Sequence, residues 1–260
     1  MKENPAFFKG FGNLLNRGLN NMEQVRIQKY LADCGVMSRR RAEQEISDGN
    51  VTVNGRPASI GQKIYPGKDF VAYLGKTITS SGKKYYLKLN KPRGYVSTMS
   101  DEKGRKCVAD LVRDVPERVY PIGRLDLDSE GLLLLTNDGE LANALMHPRC
   151  GIEKVYVVKV RQVPDEEQMK RLNESMVIDG YTIRPCRVSC PEPIYPTKLR
   201  FILSEGRNRQ IRKMCEQVGL EVTRLKRIAE GPVRLGALHS GAWEELEGKE
   251  LSDLLAFVKK

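Results

Sequence analysis

The hydrophobic rhythm of the chain changes near residue 80. Before it, apolar positions come in short groups separated by turn residues; after it, they lengthen into strand-sized blocks. Val25, Ile27, Tyr30 and Leu31 predict an apolar helical stripe that Gly35 stops, and Ser38 is placed to cap a second helix from Arg39 to Ile46. Val51-Thr52-Val53, the Asn54-Gly55 hairpin signal, the Pro66-Gly67 turn and a strand from Phe70 to Leu74 follow. The small, polar stretch Thr79-Ser80-Ser81-Gly82-Lys83 reads as a linker. A helix, helix, hairpin module with its linker is therefore expected over residues 23–82, and a second domain over residues 83–260.

In that second domain a strand from Tyr85 to Asn90 ends at the Lys91-Pro92-Arg93-Gly94 turn. Val108 to Val112 reads as helical, Val119 to Ile122 and Leu132 to Thr136 as extended, and Glu140 to Met146 as a helix after Asn137-Asp138-Gly139. Strands are expected at Val155 to Val160, Tyr181 to Val188 and Lys198 to Leu203, with an amphipathic helix carrying Met169, Leu172 and Met176 between the first two. Trp243 marks an edge strand, and Leu251, Leu254, Leu255 and Val258 a covering helix. The fold class is mixed α+β. Residues 1–22, rich in Asn and Gly, have too little apolar content to pack and are expected to form a flexible extension, with Met22 an alternative start.

Composition narrows the function. With 260 residues and 40% hydrophobic content the chain can bury a sizeable core, and 44 Lys and Arg against 33 Asp and Glu give a net charge of +11. Such a field attracts polyanions, with nucleic acid the leading partner; an inert basic surface is the alternative that charge alone leaves open. The six cysteines, Cys34, Cys107, Cys150, Cys186, Cys190 and Cys215, include no CxxC pair, and His147 and His239 are the only histidines, so neither a metal site nor a disulfide framework is expected. No apolar run is long enough for a membrane span or a signal peptide, and the cytoplasm is the expected location.

Two charged loops stand out. Gly123-Arg124-Leu125-Asp126-Leu127-Asp128-Ser129-Glu130-Gly131 precedes the run Leu132-Leu133-Leu134-Leu135, an arrangement that holds a carboxylate at the end of a buried strand. Glu205-Gly206-Arg207-Asn208-Arg209-Gln210-Ile211-Arg212-Lys213-Met214 opens a helix that Gly219 ends; Ile211, Met214 and Cys215 share its inner face, while Arg209 and Arg212 fall together on another and can clamp phosphate or pair with Asp126. Asp128 and Glu130 imitate a paired-carboxylate site with Asp126, but Ser129-Glu130 is better read as loop scaffolding. No Walker spacing is present, so no nucleoside triphosphate is expected. In the first module, Arg39, Arg40 and Arg41 oppose the dipole of the second helix, an arrangement that favours a docked phosphate; a solvated charged face is the commoner fate of such a cluster.

Residues 24–75, through Val25 to Leu31, Ser38-Arg39-Arg40 and Gly49 to Gly55, resemble the alpha-L RNA-binding module first known from a small-subunit ribosomal protein. Val25 to Glu247 as a whole resembles the bacterial ribosomal-RNA pseudouridine synthases that carry this module, on Lys91 to Gly94, Gly-Arg-Leu-Asp at 123–126, Asp128 to Gly139, Lys154-Val155-Tyr156 and Gly206 to Arg212. Glu140-Leu141-Ala142, His147-Pro148 and Glu153-Lys154 look more like the branch acting on large-subunit rRNA than the small-subunit branch. The resemblance implies a mainly antiparallel catalytic sheet, no cofactor, and isomerisation of a specific uridine in rRNA or in a subunit-assembly intermediate by a monomer. It implies Asp126 as the essential carboxylate, acting as nucleophile at the ribose or as base toward a sugar proton. Arg212, or alternatively Arg209, then pairs with Asp126, Tyr156 stacks on the flipped uracil, Ile211 walls the pocket, and Arg124 fills the gap in the RNA stack. Arg39, Arg40, Arg41, Arg207, Arg209 and Lys213 are the remaining expected RNA contacts. A non-catalytic RNA-binding assembly factor and a base-releasing RNA glycosidase are the competing classes.

Overall fold

The computed structural model describes residues 23–80, 82–147 and 149–258, so the expected N-terminal extension, Met22, Ser81 and Pro148 lie outside the described residues. Two compact units divide between Lys83 and Lys84. The first runs β1 (Val25–Arg26), α1 (Ile27–Asp33), α2 (Arg39–Ser47), β2 (Val51–Val53), β3 (Arg56–Pro57), β4 (Lys63–Ile64), β5 (Val71–Tyr73) and β6 (Lys76–Thr77). Val25 belongs to a strand paired with Ile64 rather than to the first helix. The Ser38 hydroxyl accepts from the Arg41 amide at 3.2 Å and caps α2, as its position predicts. Asn54 and Gly55 both take positive φ in the β2–β3 turn, the conformation that a tight hairpin demands. Ile27, Leu31, Ala42, Ile46, Val51 and Val71 close the core of this unit.

The second unit contains β7 (Tyr86–Lys91), β8 (Tyr120–Ile122), β9 (Glu130–Thr136), α3 (Gly139–Met146), β10 (Lys154–Val160), α4 (Glu166–Leu172), β11 (Val177–Ile178) and β12 (Tyr181–Thr182). It continues through β13 (Arg187–Ser189), β14 (Lys198–Leu203), α5 (Gln210–Gln217), β15 (Val222–Glu230), β16 (Val233–Arg234), β17 (Trp243–Glu245) and α6 (Gly248–Val258). A nine-stranded sheet is ordered β13-β14-β10-β15-β9-β7-β17, with β16 beside β15 and β8 beside β9. All its pairs are antiparallel except β9 with β15.

β9 explains why four consecutive leucines form a strand. Leu132 and Leu134 pack with Leu141 and Leu145 of α3 and Leu254 of α6, while Leu133 and Leu135 face the opposite core with Leu172, Met214 and Cys215. Both faces are covered, so no polar alternation is needed, and each leucine contributes about 2 kcal/mol of burial. Two expectations are corrected. The strand expected over Tyr181 to Val188 is interrupted, because Pro185 has no N–H to donate; Tyr181 instead turns back on Ile178 in a separate hairpin. The helix carrying Met169 and Leu172 ends at Leu172, and Met176 reaches the core from the following segment. Among the described residues no helix is long and apolar enough to cross a membrane.

Candidate active site

The loop from Gly123 to Ser129 joins β8 to β9, and its course is fixed by the turn that follows β7. The Ser97 hydroxyl donates to the Leu125 carbonyl at 2.8 Å and accepts from the Leu125 amide at 3.0 Å, and the Gly94 amide donates to the Leu127 carbonyl at 2.7 Å. The residues on either side of Asp126 are thereby held while its own side chain is left uncommitted. At the loop's end Gly131 has φ +103°, and a Cβ there would lie 2.2 Å from the Arg227 carbonyl oxygen. Only glycine lets β9 approach β15 so closely.

Asp126 is half-buried, and among the described residues its carboxylate makes no hydrogen bond or ion pair. Asp128 is instead the anchor for the arginines. Arg209 approaches it in two-pronged fashion, Nη1 and Nη2 donating to its two oxygens at 3.2 and 3.1 Å. Arg212 places Nε 3.2 Å from Asp128 Oδ2 and donates through Nη2 to the Asp128 carbonyl at 3.1 Å. The expected Arg212–Asp126 pair is therefore corrected. Arg212 is also tied to the Val222 carbonyl at 3.2 Å, which draws its guanidinium toward β15 and the far side of the loop. Burial alone would raise the Asp128 carboxyl, but the two arginines overcome it and hold the group below its ordinary value. Burial lowers Arg212, with Asp128 and Asp126 pulling back, while its hydrogen bonds with Asp128 raise Arg209. Glu130 is paired with Arg224.

Beneath the loop, Lys91 is wholly buried, its ammonium donating to the carbonyls of Pro92 at 2.9 Å and Tyr95 at 2.8 Å. Burial pushes it from 10.5 to about 8, even though Asp126, Asp128 and Glu130 attract its charge.

Asp126 opens onto a cavity of about 620 Å³ whose lining includes Arg124, Tyr156, Arg209, Ile211 and Arg212. Five of the residues singled out in the sequence thus converge there with Asp126, and Arg207 joins them. Tyr156 sits on β10 and is 9% exposed; burial raises its phenol above the ordinary value. Its hydroxyl faces Arg227 of β15, which lies opposite it in the sheet and donates through Nε to the Leu132 carbonyl at 2.7 Å. Arg227 Nη2 lies 3.3 Å from Glu230 Oε2, too poorly aligned for a hydrogen bond, and Lys154 Nζ lies 3.6 Å from Glu230 Oε1. Burial works against the Arg227 charge, but Glu230 and Tyr156 outweigh it and raise the group. The cavity lining thus includes a chain of charges, the half-buried Lys154 and the buried Glu230 and Arg227, ending at Tyr156. Ser97, Arg227 and Glu230 were not foreseen: a serine in a loop and charges in a strand resemble ordinary surface residues until the contact of Ser97 with Leu125 and the pairing of β10 with β15 are known.

The other expected RNA contacts are distributed differently. Arg124 is exposed and unpaired among the described residues. Arg207 is exposed and stacked on Tyr181. Lys213 is engaged by Asp179 in the β11–β12 turn, which reduces its availability to phosphate. In the first unit Arg39 and Arg40 are exposed, and Arg41 forms an ion pair with the buried Glu45.

Residues 85–217 match the model of the RNA pseudouridylate synthase family, and residues 25–71 match the S4 domain. The ribosomal large subunit pseudouridine synthase B of Bacillus subtilis is 42% identical over 237 residues, spanning 90% of this chain and 96% of that protein. The dual-specificity RNA pseudouridine synthase RluF of Escherichia coli K12 is 38% identical over 90% of this chain and 80% of its own length. A crystal structure of a pseudouridylate synthase superposes with a TM-score of 0.65 at 26% identity, covering 88% of this chain and 99% of the other.

Proposed function

The chain belongs to the RNA pseudouridylate synthase family and carries an S4 domain, and on that premise we propose that it isomerises a specific uridine of large-subunit rRNA, with Asp126 as its essential carboxylate. The observation that carries the assignment of Asp126 is its position: an uncommitted carboxylate, fixed through both neighbours, in the cavity that also holds Tyr156. The substrate branch rests on the name of the Bacillus subtilis relative, a ribosomal large subunit pseudouridine synthase.

Isomerisation breaks the bond from ribose C1′ to uracil N1, turns the base and joins C1′ to C5; C5 gives up its proton and N1 takes one up. Atoms and electrons balance within the substrate, so no oxidant or energy carrier enters. The base must leave the RNA stack to reach a walled pocket. In this reading Asp126 attacks the ribose or removes a sugar proton, and Arg209 and Arg212, anchored on Asp128, act on it through space. The buried Tyr156 ring stacks on the extruded uracil and its hydroxyl passes on the C5 proton, directly or through water. Ile211, 5% exposed, forms the apolar wall, and Arg124, exposed at the rim, fills the place of the extruded base. Arg39 and Arg40 of the S4 domain bind RNA phosphates. The enzyme acts as a monomer in the cytoplasm on rRNA, free or within an assembling subunit.

The test is incubation with transcribed rRNA tritiated at uridine C5. Tritium release with the base retained in the chain is expected from large-subunit RNA and not from small-subunit RNA, and Asp126→Asn should release none. Free uracil would instead identify a glycosidase, and tight binding without release a non-catalytic RNA-binding protein.

A further inference from the structure

Tyr181 was not among the residues expected at the site, yet it lines the same cavity as Asp126 and Tyr156. Its ring carries the Arg207 guanidinium on one face, 3.0 Å from guanidinium carbon to ring centroid. Tyr181 is 40% exposed and Arg207 is exposed as well, so both keep flat surface for a further planar group. The mounting is firm on both sides. The β11–β12 hairpin turns through Asp179 and Gly180, both at positive φ, and Asp179 is held by Lys213 of α5. Gln217 of the same helix donates to the Val177 carbonyl at 2.8 Å. On the other side, the Arg207 amide donates to the Gln210 side chain at 3.0 Å, and Glu205 accepts from the Arg184 amide at 2.9 Å, joining the Arg207 loop to the segment after the hairpin.

A surface pair of this type contributes little on its own, which does not account for two elements locked together at the rim of the cavity. Extruding a base unstacks the nucleotides beside it, and aromatic rings and guanidinium planes are the surfaces on which such bases restack. We propose that Tyr181 and Arg207 form a stacking platform for the base of a nucleotide adjacent to the target uridine, with the Arg207 charge meeting its phosphate. This subsite rests on the reading of the cavity as a uridine pocket. It gives the Arg207 contact a defined object, a neighbouring base, in place of a diffuse attraction to the backbone.

The test couples protein and RNA changes. A synthetic RNA containing the target uridine, located by tritium release from rRNA fragments, is made intact and with an abasic nucleotide on the 5′ or the 3′ side of that uridine. Affinity is read by fluorescence anisotropy. Tyr181→Ala should weaken binding of the intact RNA by roughly 5- to 150-fold, whereas Tyr181→Phe should not. On one of the two abasic RNAs, Tyr181→Ala should cost nothing further, because the partner base is already missing. Arg207→Ala should lose affinity on intact RNA and also reduce the salt slope by about one counterion. Equal losses for Tyr181→Ala on intact and on both abasic RNAs, or no loss on intact RNA, would overturn the platform. Tritium release by the unaltered protein is read separately, so failure of the isomerase assignment is distinguishable from failure of the subsite.

Discussion

A wholly buried lysine under the acidic loop makes a pH dependence that can be worked out from its surroundings. Burial pushes Lys91 from 10.5 to about 8, with the attraction of Asp126, Asp128 and Glu130 already included. A shift of this size costs the folded state about 3 kcal/mol at neutral pH. Because the folded value lies below the unfolded one, the unfolded chain binds more protons between these two values, and stability rises with pH across that window. From roughly pH 7.5 to roughly pH 9.5 the gain is about 2 kcal/mol. Tyr30 and Tyr86, raised to about 12 chiefly by burial, act in the opposite sense, because their unfolded forms ionise first. The measurement therefore compares the protein with Lys91→Met, which fills similar volume without charge but gives up the bonds to the Pro92 and Tyr95 carbonyls. Those lost bonds shift stability by a fixed amount at every pH. Urea unfolding followed by Trp243, the only tryptophan, reports the right unit, since β17 pairs directly with the strand that carries Lys91. The stability of the variant minus that of the unaltered protein should fall by about 2 kcal/mol between the two pH values. A difference independent of pH refutes the argument that Lys91 is buried as a charge.

Other perturbations separate the roles assigned here. Gly131→Ala should destabilise by at least about 3 kcal/mol, since a positive φ and backbone overlap act together, whereas Gly123→Ala, with nothing within 4 Å of its Cβ, should cost about 1 kcal/mol in chemical denaturation; equal costs would contradict the close approach of β9 to β15. Asp128→Asn keeps the shape of the anchor and removes its charge, so tritium release should fall while remaining measurable, in contrast to Asp126→Asn. If both variants are equally inactive, the distinction between anchor and reacting acid fails. Arg39→Ala with Arg40→Ala should weaken RNA binding and flatten its salt dependence by about two counterions, with an unchanged slope in a salt titration excluding a phosphate contact.

Local signals carried much of the fold because they act over a few residues. The Ser38 cap, the Asn54-Gly55 turn and the two-faced leucine strand each depend on chemistry contained in the segment itself. The strand expected through Pro185 failed where a single missing N–H outweighed the apolar pattern. The site was less legible because its partnerships join distant segments. Helical spacing placed Arg209 and Arg212 on one face, but which of two aspartates they would meet depended on the register between that helix and the loop, which residue spacing does not encode. The Lys154, Glu230 and Arg227 chain required the β10–β15 pairing, across a bulge between Val155 and Tyr156. Tyr181 became a rim residue because it pairs with Ile178 in a separate hairpin instead of extending the large sheet.

The difference between Asp126 and Asp128 carries a functional consequence. The loop holds three acids within five positions, and each faces cations in a protein of net charge +11. Asp128 is taken by two arginines and Glu130 by Arg224, so neither can advance toward a ribose without first breaking those pairs. Asp126 interacts at a distance with Lys91, Arg209 and Arg212 but is bonded to none of them. Pairing the neighbouring acids thus does two things: it anchors the guanidiniums at fixed distance, and it leaves their remaining field acting on one carboxylate that is free to move. A reacting group needs both conditions, since a direct ion pair would have to be given up on the way to the transition state, whereas a fixed field at a distance is already in place.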